Sequence, residues 1–163
     1  DRDALWNRLS DGTIDCIATD HAPHTLENKA LGFPKAHAGM PGVETSLPVM
    51  LTHAADGKCS IPDVVRWMCE GPSRVYGIQG KGRLQEGMDA DLVLVDMESS
   101  RTISDADTWT RVGWTAYEGI SLTGWPVCTV VDGTIVHSRT AGGSNCGEIL
   151  VEPGSVGRAL RFA

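Results

Sequence analysis

Ile14-Asp15-Cys16-Ile17-Ala18-Thr19-Asp20-His21-Ala22-Pro23-His24 passes from a short run of mostly apolar, branched side chains to a polar cluster. Branched side chains suit the pleated, half-buried surface of a strand, so Ile14 to Ala18 is expected to be one, with Thr19 opening the loop that follows. In a parallel β/α barrel the carboxyl ends of the strands are where chemistry is placed. A carboxylate there, Asp20, can bind a hard cation and take a proton from metal-bound water, and His24 lies close enough along the loop to face the same pocket. Plainer roles stand beside these. An aspartate at a strand end also caps helices or forms turns, and a loop histidine is also an ordinary surface residue. His21, His24 and His37 all fall within seventeen residues of Asp20, an unusual density for one loop.

Working outward, Asp3 to Leu9 places Leu5, Trp6 and Leu9 on one helical face, and Ser10-Asp11-Gly12 stops that helix. Residues 25 to 40 show no apolar period and read as a long excursion returning at Pro41-Gly42; long loops in compact domains are often functional. Glu44 to Ala55 is expected to be helical, with Pro48 tolerated in the first turn. Ser60 is an N-cap, Pro62 and Asp63 occupy the first turn, and Val64, Val65, Trp67 and Met68 supply apolar surface up to Gly71-Pro72, where this helix is expected to end. A shorter turn, Ser73 to Tyr76, follows. A glycine-rich join from Gly77 to Gly87 then changes the rhythm to short strands. Ala90 to Asp96 is a near-continuous apolar run and is expected to be a strand buried on both faces. Pro126 to Val131 and Thr134 to His137, separated by Asp132-Gly133, form a hairpin because Asp-Gly accepts the positive φ angles of a two-residue turn. Beyond a Gly142-Gly143-Ser144 stretch, Glu148 to Val151 is a further strand.

Composition narrows the function. Hydrophobic residues make up 41% of the 163 residues and charged ones 21%, a balance typical of globular chains. No apolar run approaches the roughly 18 to 20 residues that span a bilayer, and the start has no signal-peptide layout. The net charge of −7 without a basic cluster argues against nucleic acid, whose phosphates need concentrated Lys and Arg. Cys16, Cys59, Cys69, Cys128 and Cys146 are odd in number and form no C-x-x-C pair, so they read as reduced, packed thiols in a cytoplasmic chain.

The strings IATDHAPHT, from Ile17, the stretch Gly39 to Leu51 (GMPGVETSLPVML) and GRLQEGMDADLVLVD, from Gly82, together resemble the dihydroorotases of the amidohydrolase superfamily. The resemblance implies an α/β chain: residues 1–78 as the last strand, active-site loop and helices of a (β/α)8 barrel, and residues 79–163 as part of a small β-sandwich. It implies reversible opening of the cyclic amide of dihydroorotate to N-carbamoyl-aspartate, with zinc as cofactor and this small molecule as partner. Asp20 would be both a zinc ligand and the general base that takes a proton from the attacking hydroxide and returns it to the leaving nitrogen. His24 would contact the substrate carboxylate, the backbone around Ala38 and Gly39 would hydrogen-bond the ring, and His21 would stand behind the site.

The family's H-x-H pair, its carboxylated lysine or acidic substitute, and two further histidine ligands have no counterpart in these residues. A catalytic zinc normally needs three protein ligands and an open position, so the isolated chain is expected to be inactive and its exposed strand edges to favour pairing with another copy. Three other readings remain at this point. One is a catalytically dead scaffold subunit for aspartate transcarbamoylase. A second is an amidohydrolase acting on hydantoin, dihydropyrimidine or allantoin. The third is an independent β-rich binding module built from residues 80–163.

Overall fold

The computed structural model describes residues 1–139, 148–151 and 157–162. Among them five α-helices, α1 (Arg2–Ser10), α2 (Leu26–Lys29), α3 (Ser46–Ala55), α4 (Ile61–Val65) and α5 (Gly71–Tyr76), precede four strands, β1 (Leu92–Thr102), β2 (Ser121–Val131), β3 (Thr134–Ser138) and β4 (Glu148–Ile149). The strands form one antiparallel sheet in the order β1-β2-β3-β4. The chain is therefore of mixed α/β type. The Gly142 to Ser144 stretch falls outside the described residues.

The core explains why the helices form where they do. Met50 and Leu51 of α3 meet Val64 of α4 and Trp67, with Trp6, Leu9, Ile17, Val95 and Met97 packed around them. Trp67 is only 2% exposed, so its indole N–H needs a partner, and it donates to the Leu9 carbonyl at 3.2 Å. Residues from both sides of the Gly77 to Gly87 join share this core. Thr52 ties α3 to the sheet: its hydroxyl accepts the Thr123 N–H at 2.8 Å and donates to the Pro48 carbonyl at 2.7 Å. The face of α1 is narrower than its sequence suggests. Trp6 and Leu9 pack inward, but Leu5 is 58% exposed.

Ser60 caps α4 as expected, and the cap is reciprocal: its hydroxyl accepts from Asp63 N–H, and the Asp63 carboxylate accepts from Ser60 N–H at 3.0 Å. Gly71-Pro72 does not end the helix. The backbone widens into a π-turn over Arg66–Glu70 and continues into α5, which closes at Gly77. Proline falls in the first turn of α5, directly after the widened turn. The glycine answers a tertiary demand: a β-carbon at Gly71 would lie 2.3 Å from the Asp15 carbonyl oxygen. The same junction holds the segment that leads to Asp20, since Ile17 N–H donates to the Trp67 carbonyl at 3.0 Å.

The strand expected over Ile14 to Ala18 does not form, because no described residue pairs with it in a β-ladder. The expectation for Ala90 to Asp96 also needs correction. A strand is present from Leu92, but Leu92, Val93 and Leu94 are exposed. β1 is the edge of the sheet, and α3 packs against β2 and the later part of β1, leaving the first residues of β1 uncovered. The Asp132-Gly133 hairpin is as expected, with φ of 50° and 79° at the two turn residues.

Candidate active-site loop

Asp20 follows the Ile14 to Ala18 segment and has φ 44°. This left-handed region is seldom visited by non-glycine residues, aspartate and asparagine being the readiest. The reversal throws the chain into a loop whose return leg lies beside it: His21 and Met40 form an isolated parallel bridge, and Ala22 N–H donates to the Met40 carbonyl at 3.1 Å. The Asp20 side chain is exposed and has no hydrogen bond or ion pair with any described residue. It is presented outward rather than used in the fold.

His21 does structural work behind it. Its Nδ1 accepts the N–H groups of Gly42 at 3.1 Å and Val43 at 3.3 Å, which leaves the ring proton of this tautomer on Nε2. The ring thus braces the turn at Asp20 against the residues leading into α3. The fit between the two legs is close at Gly39, where φ is 107° and a β-carbon would sit 2.5 Å from the Ala22 side chain. Only glycine meets both conditions.

His24 is half-buried and lies edge-on to His37, with ring centroids 4.9 Å apart. Its carbonyl accepts the Trp114 indole N–H at 2.8 Å. On the opposite leg Lys29 spans the excursion, donating to the carbonyls of His37 at 2.9 Å and Gly39 at 2.7 Å. Ala38 and Gly39 are exposed, and their N–H groups have no partner among the described residues. They remain available to an acceptor from outside. Ordering a residue costs about 1–2 kcal/mol of backbone entropy, so a long excursion needs such cross-links to hold one shape.

The structure therefore draws His24, His37 and Gly39 into one cross-linked loop. No group of three or more His, Cys, Asp or Glu able to hold a metal ion forms among the described residues. Asp20 suits a single ligand position, but these residues by themselves do not make a zinc site. Trp114, Lys29 and Glu44 were missed from sequence. Glu44 fastens the distant Trp114 loop by accepting the N–H groups of Trp109 and Thr110, both at 2.8 Å. The only signal was a pair of tryptophans, Trp109 and Trp114, in an otherwise polar stretch.

Comparison with known proteins identifies the family. The model of the amidohydrolase family matches residues 1–136. The chain is 44% identical over 135 residues to a dihydroorotase of Halobacterium salinarum, covering 83% of this chain and 32% of that protein. It is 38% identical over 161 residues to a dihydroorotase of Pyrococcus furiosus, covering 98% of this chain and 37% of that one. Among solved structures, an L-hydantoinase (dihydropyrimidinase) from Arthrobacter aurescens superposes with a TM-score of 0.80 at 37% identity, over 91% of this chain and 32% of that chain. The chain thus spans about a third of the length of the relatives it matches.

Proposed function

The chain belongs to the amidohydrolase family, and from that premise we propose that it is the C-terminal portion of a zinc-dependent dihydroorotase. The reaction is the reversible hydrolysis of the cyclic amide of dihydroorotate to N-carbamoyl-aspartate, a step of pyrimidine synthesis in the cytoplasm. In this reading residues 1–78 end a (β/α)8 barrel and residues 79–163 contribute to a β-sandwich. The remaining metal ligands lie outside these residues, and the assembled enzyme is a homo-oligomer able to associate with aspartate transcarbamoylase. The observation that carries the proposal is Asp20, held in a left-handed turn with its carboxylate free of any described partner.

Zinc, with Asp20 as one ligand, would supply a nucleophile near neutral pH. The residues of this chain do the rest. Asp20 takes the proton of the attacking group and delivers it to the ring nitrogen as the amide bond breaks. His24 directs its imidazole to the substrate carboxylate, and the free N–H groups of Ala38 and Gly39 receive the ring oxygens. His21 keeps the turn at Asp20 in place through Gly42 and Val43.

The likeness to the L-hydantoinase structure supports a second reading, in which the same carboxylate serves a hydantoin or dihydropyrimidine ring. Initial rates of the complete enzyme on dihydroorotate, hydantoin, dihydrouracil and allantoin separate the two. The proposal expects dihydroorotate to have the highest kcat/KM. A clear preference for an uncharged ring would replace it with the second reading.

A further inference from the structure

We infer that Trp114 and Lys29 are positioning residues that clamp the substrate loop between His24 and Gly39 and thereby set the affinity for substrate. The inference rests on the reading of His24 and Gly39 as substrate-facing residues proposed above. The Trp114 indole N–H donates to the His24 carbonyl at 2.8 Å, and the Lys29 ammonium donates to the His37 and Gly39 carbonyls at 2.9 and 2.7 Å. The two clamps touch each other, the Lys29 ammonium lying 5.8 Å from the centre of the Trp114 ring. Together they join both legs of the loop at the residues that face substrate.

Trp114 is itself held by a rigid support. Thr115 N–H donates to the Asp105 carboxylate at 2.7 Å, and the Glu44 carboxylate anchors Trp109 and Thr110. Glu44 stands just ahead of α3, two residues from the Gly42 amide that His21 accepts. The sheet-side loop, α3 and the Asp20 turn are therefore referenced to one another through named hydrogen bonds. A clamp of this kind acts on binding rather than on bond breaking, because it fixes where the ligand groups stand and does not reach the reacting amide.

Trp114→Phe keeps an aromatic ring, smaller than the indole, and removes the N–H donor; Lys29→Met keeps the stem and removes the ammonium, and Lys29→Arg restores a donor. Hydrogen–deuterium exchange across residues 22–40, read on the complete enzyme without substrate, should speed by about tenfold in Trp114→Phe, which loses one hydrogen bond, and by at least about tenfold in Lys29→Met, which loses two. KM for dihydroorotate should rise about fivefold to tenfold with kcat within about twofold, and Lys29→Arg should recover most of the loss. Exchange unchanged in both variants would overturn the inference, as would a fall in kcat at constant KM. Because exchange needs no substrate, it decides the clamp even if the wild-type enzyme fails to turn over dihydroorotate, an outcome that refutes the functional reading alone.

Discussion

Gly71→Ala tests whether the π-turn junction is shaped by contact with the segment that carries Asp20. Gly71 has helical backbone angles, φ −57° and ψ −56°, and in an open helix the alanine would be favoured by about 1 kcal/mol. Here the added β-carbon would meet the Asp15 carbonyl oxygen at 2.3 Å, the Arg66 carbonyl oxygen at 2.9 Å and the Cys16 side chain at 3.2 Å. Two of the three are backbone atoms that cannot rotate aside, so the cost belongs at the upper end of the roughly 1–3 kcal/mol typical of overpacking. The steric term wins, and the net loss is about 1–2 kcal/mol, or a fall in Tm of roughly 2–8 °C for a chain of this size. Urea unfolding followed by tryptophan fluorescence measures it, and exchange of the Ile17 amide, bonded to the Trp67 carbonyl, should quicken alongside. A variant as stable as the parent, or more so, would show that the junction is not shaped by contact with Asp15 and Cys16.

Three further outcomes are expected. Ser60→Ala should cost about 1 kcal/mol at neutral pH by loss of the cap. The Asp63 carboxyl is held below its usual 3.8 chiefly by its hydrogen bonds with the Ser60 hydroxyl and N–H. The stability this gives is complete above that value and lost as pH falls through the lower folded one, so parent and variant should converge in acid unfolding titrations. His53, edge-on to Trp6, is held below its usual 6.5 by burial and then by Lys58. Its neutral form is favoured by folding, so stability should drop as pH falls from about 6.5 toward the folded value, and His53→Gln should flatten that slope in thermal melts. Elemental analysis of the 163-residue chain after mild chelation should find far less than one zinc per chain, and one tightly held ion would contradict the ligand count.

What could be read before the fold was known depended on how local its cause was. The Asp132-Gly133 turn and the Ser60 cap are decided by a few adjacent residues, and both appear where they were expected. Gly71-Pro72 has a local meaning, helix termination, that the contact with Asp15 and Cys16 overrides. The apolar run at Leu92 to Leu94 signals a strand correctly, but the pattern holds no information on what covers it, and its burial was overestimated. Asp20 and His24 stand out in the sequence as polar residues after an apolar run, whereas the left-handed turn at Asp20 is visible only in the fold. Trp114 and His24 are ninety residues apart, and no period or motif joins them.

The role proposed for Asp20, the proton-transferring carboxylate of a cyclic amidohydrolase, is decided by kcat/KM for dihydroorotate in the complete enzyme carrying Asp20→Asn. A positioned acid–base group contributes about 10²–10⁴-fold, so a loss at least that large is expected, with unfolding by urea unchanged because the side chain has no described partner. Turnover within about tenfold of the parent would exclude Asp20 from that role.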